Sequence, residues 1–326
     1  MQDLRISLFL SSLLLFASSS QAELQDMQIS GVFEMEAAVS QSDSNGNSND
    51  LLAPALEIEF YTRLSKQISI AFTLLADDIG GANSDTTVDD AVVNFRLGAS
   101  TLTIGQTTLP FGRYETGAIN DPLTLLLGET SETAFIYNRS TDAALDYSVY
   151  LYNGESTDSP VAEESLNDFG FAFNFIINDW SIGAGYINNL ANSDSLLEAG
   201  TSINEKVAGM AMHLAYHFDG WHFFAEHVMA LDEFVAGDLD GTISSSSKPA
   251  ASHLEILLDL EQDRYLSLNL STSRQASDLL DYETQTTLTY STIVMKQANL
   301  YFELLSAKQY NGNQDSVLGV KLAVDF

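Results

Sequence analysis

Residues 169–175 read FGFAFNF, and this alternation decides the fold. Phe169, Phe171, Phe173 and Phe175 fall on one side of an extended chain. Gly170, Ala172 and Asn174 fall on the other, because strand side chains repeat every two residues. The same period recurs from Met27 onward. Ile29, Phe33, Met35 and Val39 share a face opposite Glu34 and Glu36. Leu56, Ile58 and Phe60 alternate with Glu57 and Glu59, and Ala91, Val93 and Phe95 with Asp90, Asn94 and Arg96. Leu254, Ile256 and Leu258 alternate with His253, Glu255 and Asp259.

The connections carry a second signal. Short turns near 64–67, 98–100, 138–143, 177–179, 219–220, 261–263 and 294–297 alternate with longer, mostly polar loops. These loops fall near 41–51, 77–87, 107–132, 153–167, 188–204, 231–249, 274–281 and 309–314. Short turns at one end and long loops at the other are the pattern of a transmembrane antiparallel β-barrel, here with about sixteen strands. A soluble sandwich also alternates but gives no reason for one end to carry the longer loops. Closure follows from the solvent: hydrocarbon offers no partner to a backbone N–H, so the strands must bond to each other all the way round. Phe218, Trp221, Phe223 and Tyr186 fit the aromatic girdles at the membrane surfaces. The closing strand, Ser316–Phe326, ends its apolar face on Phe326, as outer-membrane barrels do.

Residues 6–17, ISLFLSSLLLFA, are too short to cross a bilayer as a helix. With Ser20-Gln21-Ala22 after them they read as a signal peptide over 1–22, leaving residues 23–326 as an outer-membrane barrel. The chain has no cysteine, which argues against a disulfide-stapled secreted domain. Its net charge of −32 excludes nucleic acid as a partner, while 45% hydrophobic residues exclude a disordered acidic chain. Acidic residues on the wet face of alternating strands reconcile the two.

No thiol nucleophile, G-x-S-x-G or H-E-x-x-H is present, and an enzyme is not expected. His227 falls on an apolar face without a legible serine partner. A calcium loop at Asp43–Asn47 fails, since its glycine is misplaced and Pro54 stands where the closing glutamate belongs. No cofactor and no metal are expected. A two-residue turn at Asp219-Gly220 would set His217 opposite His222 and His213 opposite Glu226, on the lumen side. The inward inventory is acidic: Glu34, Glu36, Glu57, Glu59, Asp90, Asp146, Glu226, Glu255, Asp259, Glu303 and Asp325. Arg63, Arg96 and Lys321 are the fewer inward bases, so the lumen should favour cations.

Residues 105–130, GQTTLPFGRYETGAINDPLTLLLGET, interrupt the pattern. This loop is apolar and turn-rich where its neighbours are rich in Ser, Asn and Asp. Asp121-Pro122 before Leu123–Leu127 predicts a short helix, with Asp121 as N-cap. The third long loop is therefore expected inside the barrel, with Arg113, Tyr114, Glu115, Asp121 and Glu129 at a constriction. A solvated external loop is the competing reading.

The run Gly105, Gln106, Leu109–Gly112, Tyr114–Thr116 and then Asp121–Thr130, with the later Tyr152-Asn153-Gly154, resembles the outer-membrane siderophore porins typified by the legiobactin receptor. The resemblance implies passive, TonB-independent uptake of an iron–siderophore complex through a sixteen-stranded barrel. Partners would be outer-membrane lipids, a small solute such as a ferric siderophore, and the barrel-assembly machinery. A general or phosphate-type porin is one alternative. A structural barrel binding divalent cations at the cell surface is another.

Overall fold

The computed structural model describes residues 27–326 apart from 45, 82–83, 142–143 and 158–165. The expectation of a signal peptide over 1–22 falls outside the described residues. Among the described residues, seventeen strand segments form one closed sheet. They are β1 (Gln28–Ser42), β2 (Gly46–Leu52), β3 (Ala55–Arg63), β4 (Ile68–Asp77), β5 (Asp85–Leu97) and β6 (Ser100–Thr108). Then come β7 (Ser131–Ser140), β8 (Leu145–Tyr152), β9 (Asp168–Ile177), β10 (Trp180–Ile187), β11 (Gly209–Phe218) and β12 (Trp221–Ala230). The last are β13 (Ala250–Leu260), β14 (Arg264–Arg274), β15 (Tyr282–Met295), β16 (Ala298–Gln309) and β17 (Gln314–Asp325).

Both β2 and β3 pair with β1, one along its upper half (Ser40 opposite Ser48) and one along its lower half (Ile29 opposite Phe60). They are two halves of one barrel strand broken at Ala53-Pro54, so the seventeen segments make sixteen strands. The break is bridged: Asp78 N–H donates to Pro54 O (3.1 Å) and Ile79 N–H to Ala53 O (3.0 Å). The seam closes where β17 pairs antiparallel with β1, Val324 against Phe33 and Leu318 against Val39. Phe326 and Gly31 exchange two main-chain hydrogen bonds, of 3.0 and 3.1 Å, at its lower end.

The barrel is inside out. Phe169, Phe171, Phe173 and Phe175 point outward and are 37–46% exposed, and Leu254, Leu268, Leu288 and Leu304 in their own strands are 41–54% exposed. No water-soluble monomer leaves an apolar belt of this extent bare, so the solvent outside is hydrocarbon. Aromatic girdles bound it at both ends. At the short-turn end Trp180 stacks on Tyr216 at 4.2 Å, beside Phe218, Trp221 and Phe223. At the other end Tyr186 stacks on Phe171 at 5.2 Å. Asp219-Gly220 makes the expected two-residue turn, with φ of 46° and 79°, and Phe218 pairs with Trp221.

Two expectations about the loops need correction. Residues 41–51 and 309–314 are not long loops, because β1, β2, β16 and β17 run on through Ser, Asn and Gln beyond the apolar belt. Polar residues on both faces give no periodic signal there. Nor are 188–204 and 231–249 simply polar. Leu190, Leu196, Ile203, Phe234, Leu239 and Ile243 are buried together at the long-loop end, and 194–199 form a short helix. In sequence these apolar residues are dispersed among polar ones, and only the fold gathers them.

Candidate channel constriction

The third long loop lies inside the barrel. Its base is closed by Leu109 N–H donating to Thr130 O (2.8 Å). It then passes so close to the wall that a Cβ on Gly185 would sit 2.0 Å from Phe111 O. Only glycine leaves room for that crossing.

Beyond it, residues 113–120 have no regular structure, so their N–H groups need other acceptors. Three wall carboxylates supply them. Glu226 of β12 accepts from Arg113 N–H (2.7 Å) and Tyr114 N–H (3.2 Å). Glu255 of β13 accepts Gly117 N–H on both oxygens (3.0 and 3.1 Å). Glu303 of β16 accepts from Ile119 N–H (2.6 Å), Asn120 N–H (3.3 Å) and the Asn120 side-chain amide. The wall steadies two of them: Ser267 Oγ donates to Glu255 (3.1 Å) and Thr289 Oγ1 to Glu303 (2.7 Å). These acids were expected to be plain wetted lining. They are instead 3%, 6% and 1% exposed, and they latch the loop to the wall. A buried carboxylate requires donors, and the loop backbone is their source.

The helix α1 (Leu123–Gly128) follows, one residue later than expected. Its N-cap is Pro122, with φ −70° and ψ 149°, and no side chain caps it; Leu125 N–H reaches Pro122 O at 3.0 Å. Asp121 is therefore not a cap, and the residue stays exposed. Leu123 and Leu127 are fully buried, packing with the apolar cluster at the barrel mouth. The helix α2 (Asp194–Ala199) clamps the exit of the loop, through Asp194 N–H to Glu129 O and Ser131 N–H to Asp194 Oδ1, both 2.9 Å.

With the loop fixed on β12, β13 and β16, the carboxylates it leaves free stand on β1, β3 and β5. Charges there act on one another around a ring. Glu129 lies within reach of the charges of Asp121 and Asp89, and Glu57 of those of Asp89, Glu59, Asp90 and Glu34. Asp121 closes the ring toward Glu34 and Lys321. Glu36 adjoins Glu34, Glu303 and Lys321. The two bases nearby are taken: Lys321 pairs with Glu34 (3.1 Å) and sits over the Tyr301 ring, while Arg113 pairs with Glu115 and donates to Ser181 Oγ (2.8 Å). Burial, with Asp194, Asp121 and Asp89 beside it, pushes the Glu129 carboxyl from 4.5 up to about 7.

Of the residues expected at the constriction, Asp121, Glu129, Glu34, Glu36, Glu57, Glu59 and Asp90 fall within reach of one another's charges, while Glu115 and Arg113 pair with each other beside Ser181 of β10. Tyr114 does not face the passage in the same way. Its backbone is left-handed (φ 50°), its ring packs over Gly112 and Gly128, and its hydroxyl is buried. Arg96 points inward but stands near the short-turn end, its N–H on Gln67 O at 2.8 Å, about 20 Å along the strand from Asp90. Asp89 escaped the sequence reading. The register of β4 and β5 slips between Thr73 and Leu74, and the resulting bulge turns Asp89 inward beside Asp90. Strict alternation would have put it outside.

The histidines fall in the predicted register, His217 opposite His222 with their rings edge to face at 4.5 Å, and His213 opposite Glu226, but the two pairs have separate partners. His222 Nε2 lies 2.6 Å from Asp259 Oδ2, His213 Nε2 lies 3.1 Å from Asn174 Oδ1, and Glu226 serves the loop. Among the described residues, no group of three or more His, Asp or Glu is arranged to hold a metal ion.

A closed barrel of this kind is found in known structures. The chain superposes on the outer-membrane channel DcaP of Acinetobacter baumannii with a TM-score of 0.67, covering 92% of this chain and 97% of that one at 15% identity. It superposes on an anion-selective porin from Comamonas acidovorans at 0.69 (92% and 99% covered, 12% identical) and on Salmonella typhi OmpF at 0.66 (92% and 97%, 11%). The fold is porin-type. In sequence, the chain is similar to a UPF0422 protein of Coxiella burnetii, 30% identical over 162 residues, which are 47% of this chain and 35% of that protein. A UPF0422 protein of Legionella pneumophila is 22% identical over 243 residues, 65% of this chain and 45% of that one. The chain thus spans less than half the length of these curated relatives. No family model matches it.

Proposed function

We propose that this chain is a passive outer-membrane channel whose constriction favours cations over anions. The carboxylate ring formed by loop residues Asp121 and Glu129 with wall residues Glu34, Glu57, Glu59, Asp89 and Asp90 carries this reading. In a narrow, low-dielectric passage such a ring concentrates cations and repels anions. The fold supports a channel in general, and the ring supports the sign of its preference.

The resemblance of residues 105–130 to siderophore porins supports a narrower reading, uptake of an iron–siderophore complex. The residues that carry the resemblance are those that build the constriction: Leu109 and Phe111 are 3% and 2% exposed, and Asp121 and Glu129 stand on the ring. The same ring requires a neutral or cationic complex and disfavours a phosphate-type cargo. A sealed structural barrel would pass no current at all. Planar-bilayer recording of the purified barrel, with and without a cationic or neutral ferric siderophore, separates these readings. Current steps with K⁺ preferred over Cl⁻, blocked by the complex, are expected; no steps, or anion preference at low salt, overturns the proposal.

Glu129 adds a pH dependence. Below about pH 7 it is protonated and neutral, and above it the ring gains a negative charge. Cation preference should therefore rise between pH 6 and pH 8, and Glu129→Gln should flatten that rise. The same shift lowers stability as pH climbs from 4.5 toward 7, since the unfolded chain releases the proton first. Reversal potentials over that range check the first point and thermal unfolding the second.

A further inference from the structure

The inward face of β3 changes sign along its length. Glu57, Glu59, Tyr61 and Arg63 alternate with Ile58 and Phe60, so all four stand on the lumen side. The first two belong to the carboxylate ring. Arg63 lies four residues below Glu59, roughly 13 Å along the strand. On β5 the inward series ends the same way, with Arg96 below Asn94. Ser69 of β4 pairs with Arg63 on one side and with Asn94 on the other, so the two arginines stand two strands apart. The Tyr61 hydroxyl lies within reach of Ser69 and of both guanidinium groups. Two bases thus converge on one phenol.

Their inward neighbours on β1, β4, β5 and β6 are uncharged: Gln28, Ser69, Asn94, Thr101 and Thr103. Thr103 Oγ1 donates to Asn94 Oδ1 (2.6 Å), which keeps that amide on the wall. Among the described residues neither Arg63 nor Arg96 is in an ion pair, whereas Arg113, Lys206, Lys308 and Lys321 each have a carboxylate. Both arginines are exposed to the lumen. In a chain with 45 acidic and 13 basic residues, an acid-free patch holding two unpaired guanidinium groups runs against the composition. Guanidinium groups offer planar forks of donors that match a carboxylate.

We propose that this patch is a subsite for the carboxylate of a linear zwitterion whose ammonium group rests at the carboxylate ring. The proposal rests on the channel reading above and names a class of solute for it. Acids and arginines follow one another down one wall, so the field reverses along the passage and not across it. A free anion meets the ring before the arginines and is repelled. A cation is held by the ring alone. A solute carrying both charges at the matching separation is held at both ends. An extended chain spans at most about 3.3–3.6 Å per residue, so a peptide of about four residues sets its two termini this far apart. A dipeptide falls short.

Block of the K⁺ current in planar bilayers at low salt tests this, with tetraalanine, its C-terminal amide, its N-acetyl form and dialanine as probes. Tetraalanine should block severalfold more strongly than its amide and than dialanine, and the N-acetyl form should block least. Arg63→Gln with Arg96→Gln should bring tetraalanine down to the level of its amide. In that variant the preference for K⁺ over Cl⁻ should rise, because two lumen bases are gone. Equal block by tetraalanine and its amide in the wild-type barrel overturns the proposal without need of a variant, as does dialanine matching tetraalanine. An undiminished advantage of tetraalanine in the folded double variant overturns it too. A barrel without current steps, or one that prefers anions, counts instead against the channel reading.

Discussion

Replacing both Glu57 and Glu59 by lysine is expected to invert the ion preference of the channel. The two side chains project inward from β3, across from Thr87, Asp89 and Asp90 on the neighbouring wall. Two acids become two bases, a change of four charges on one side of a narrow passage. Two unit charges 4 Å apart at an effective dielectric of 20 interact by about 4 kcal/mol, so even part of that change outweighs the surviving carboxylates. The native bases do not compensate beforehand, since Lys321 is committed to Glu34 and Arg113 to Glu115. Reversal potentials in a low-salt gradient should change sign. Near 1 M salt, where the Debye length is about 3 Å, the difference should largely vanish. Assembly should survive, because both positions are wet and outside the apolar belt. A folded double variant that still prefers cations at low salt would mean that current does not pass along β3.

Period-2 alternation places nearly every strand, because within the hydrocarbon most lipid-facing side chains are apolar and most lumen-facing ones are polar or small. It failed where that contrast fails. Past the hydrocarbon edge β1 and β2 carry Gln, Ser and Asn on both faces, so no alternation marks their extension as strand. At Asp89 a bulge breaks the parity of the alternation. The loop's interior location was legible from its leucines, which water would not tolerate. The latch was not. Glu226, Glu255 and Glu303 look in sequence like any other inward acid, and nothing local distinguishes them from Glu57. What separates them is whether the loop backbone lies over them, a contact between residues more than 110 positions apart. The constriction was thus readable as a list of acids, but the division into acids that hold and acids that face the passage was decided by tertiary contact alone.

That division gives the second large effect. Changing Glu226, Glu255 and Glu303 together to alanine should free residues 113–120 from the wall. Hydrogen bonds to charged groups are worth about 1.5–3 kcal/mol each, and the three carboxylates take several from this one segment. The anchors left behind are apolar. Leu123 and Leu127, at about 1.5–3 kcal/mol each when fully buried, should keep α1 seated in the cluster at the barrel mouth. The loop would then be tethered at both ends and loose between them. Single-channel conductance should rise and become noisy, and cation preference should fall, since Asp121 would no longer be held opposite Glu34. Single glutamine variants should do much less, because a neutral amide still offers one acceptor and the other two carboxylates still hold the segment. Their effects should therefore sum to less than that of the triple variant. The strands keep their own ladders, so the barrel should still fold and shift on heating in a gel. If the folded triple variant shows native conductance and native ion preference, residues 113–120 do not border the conducting path.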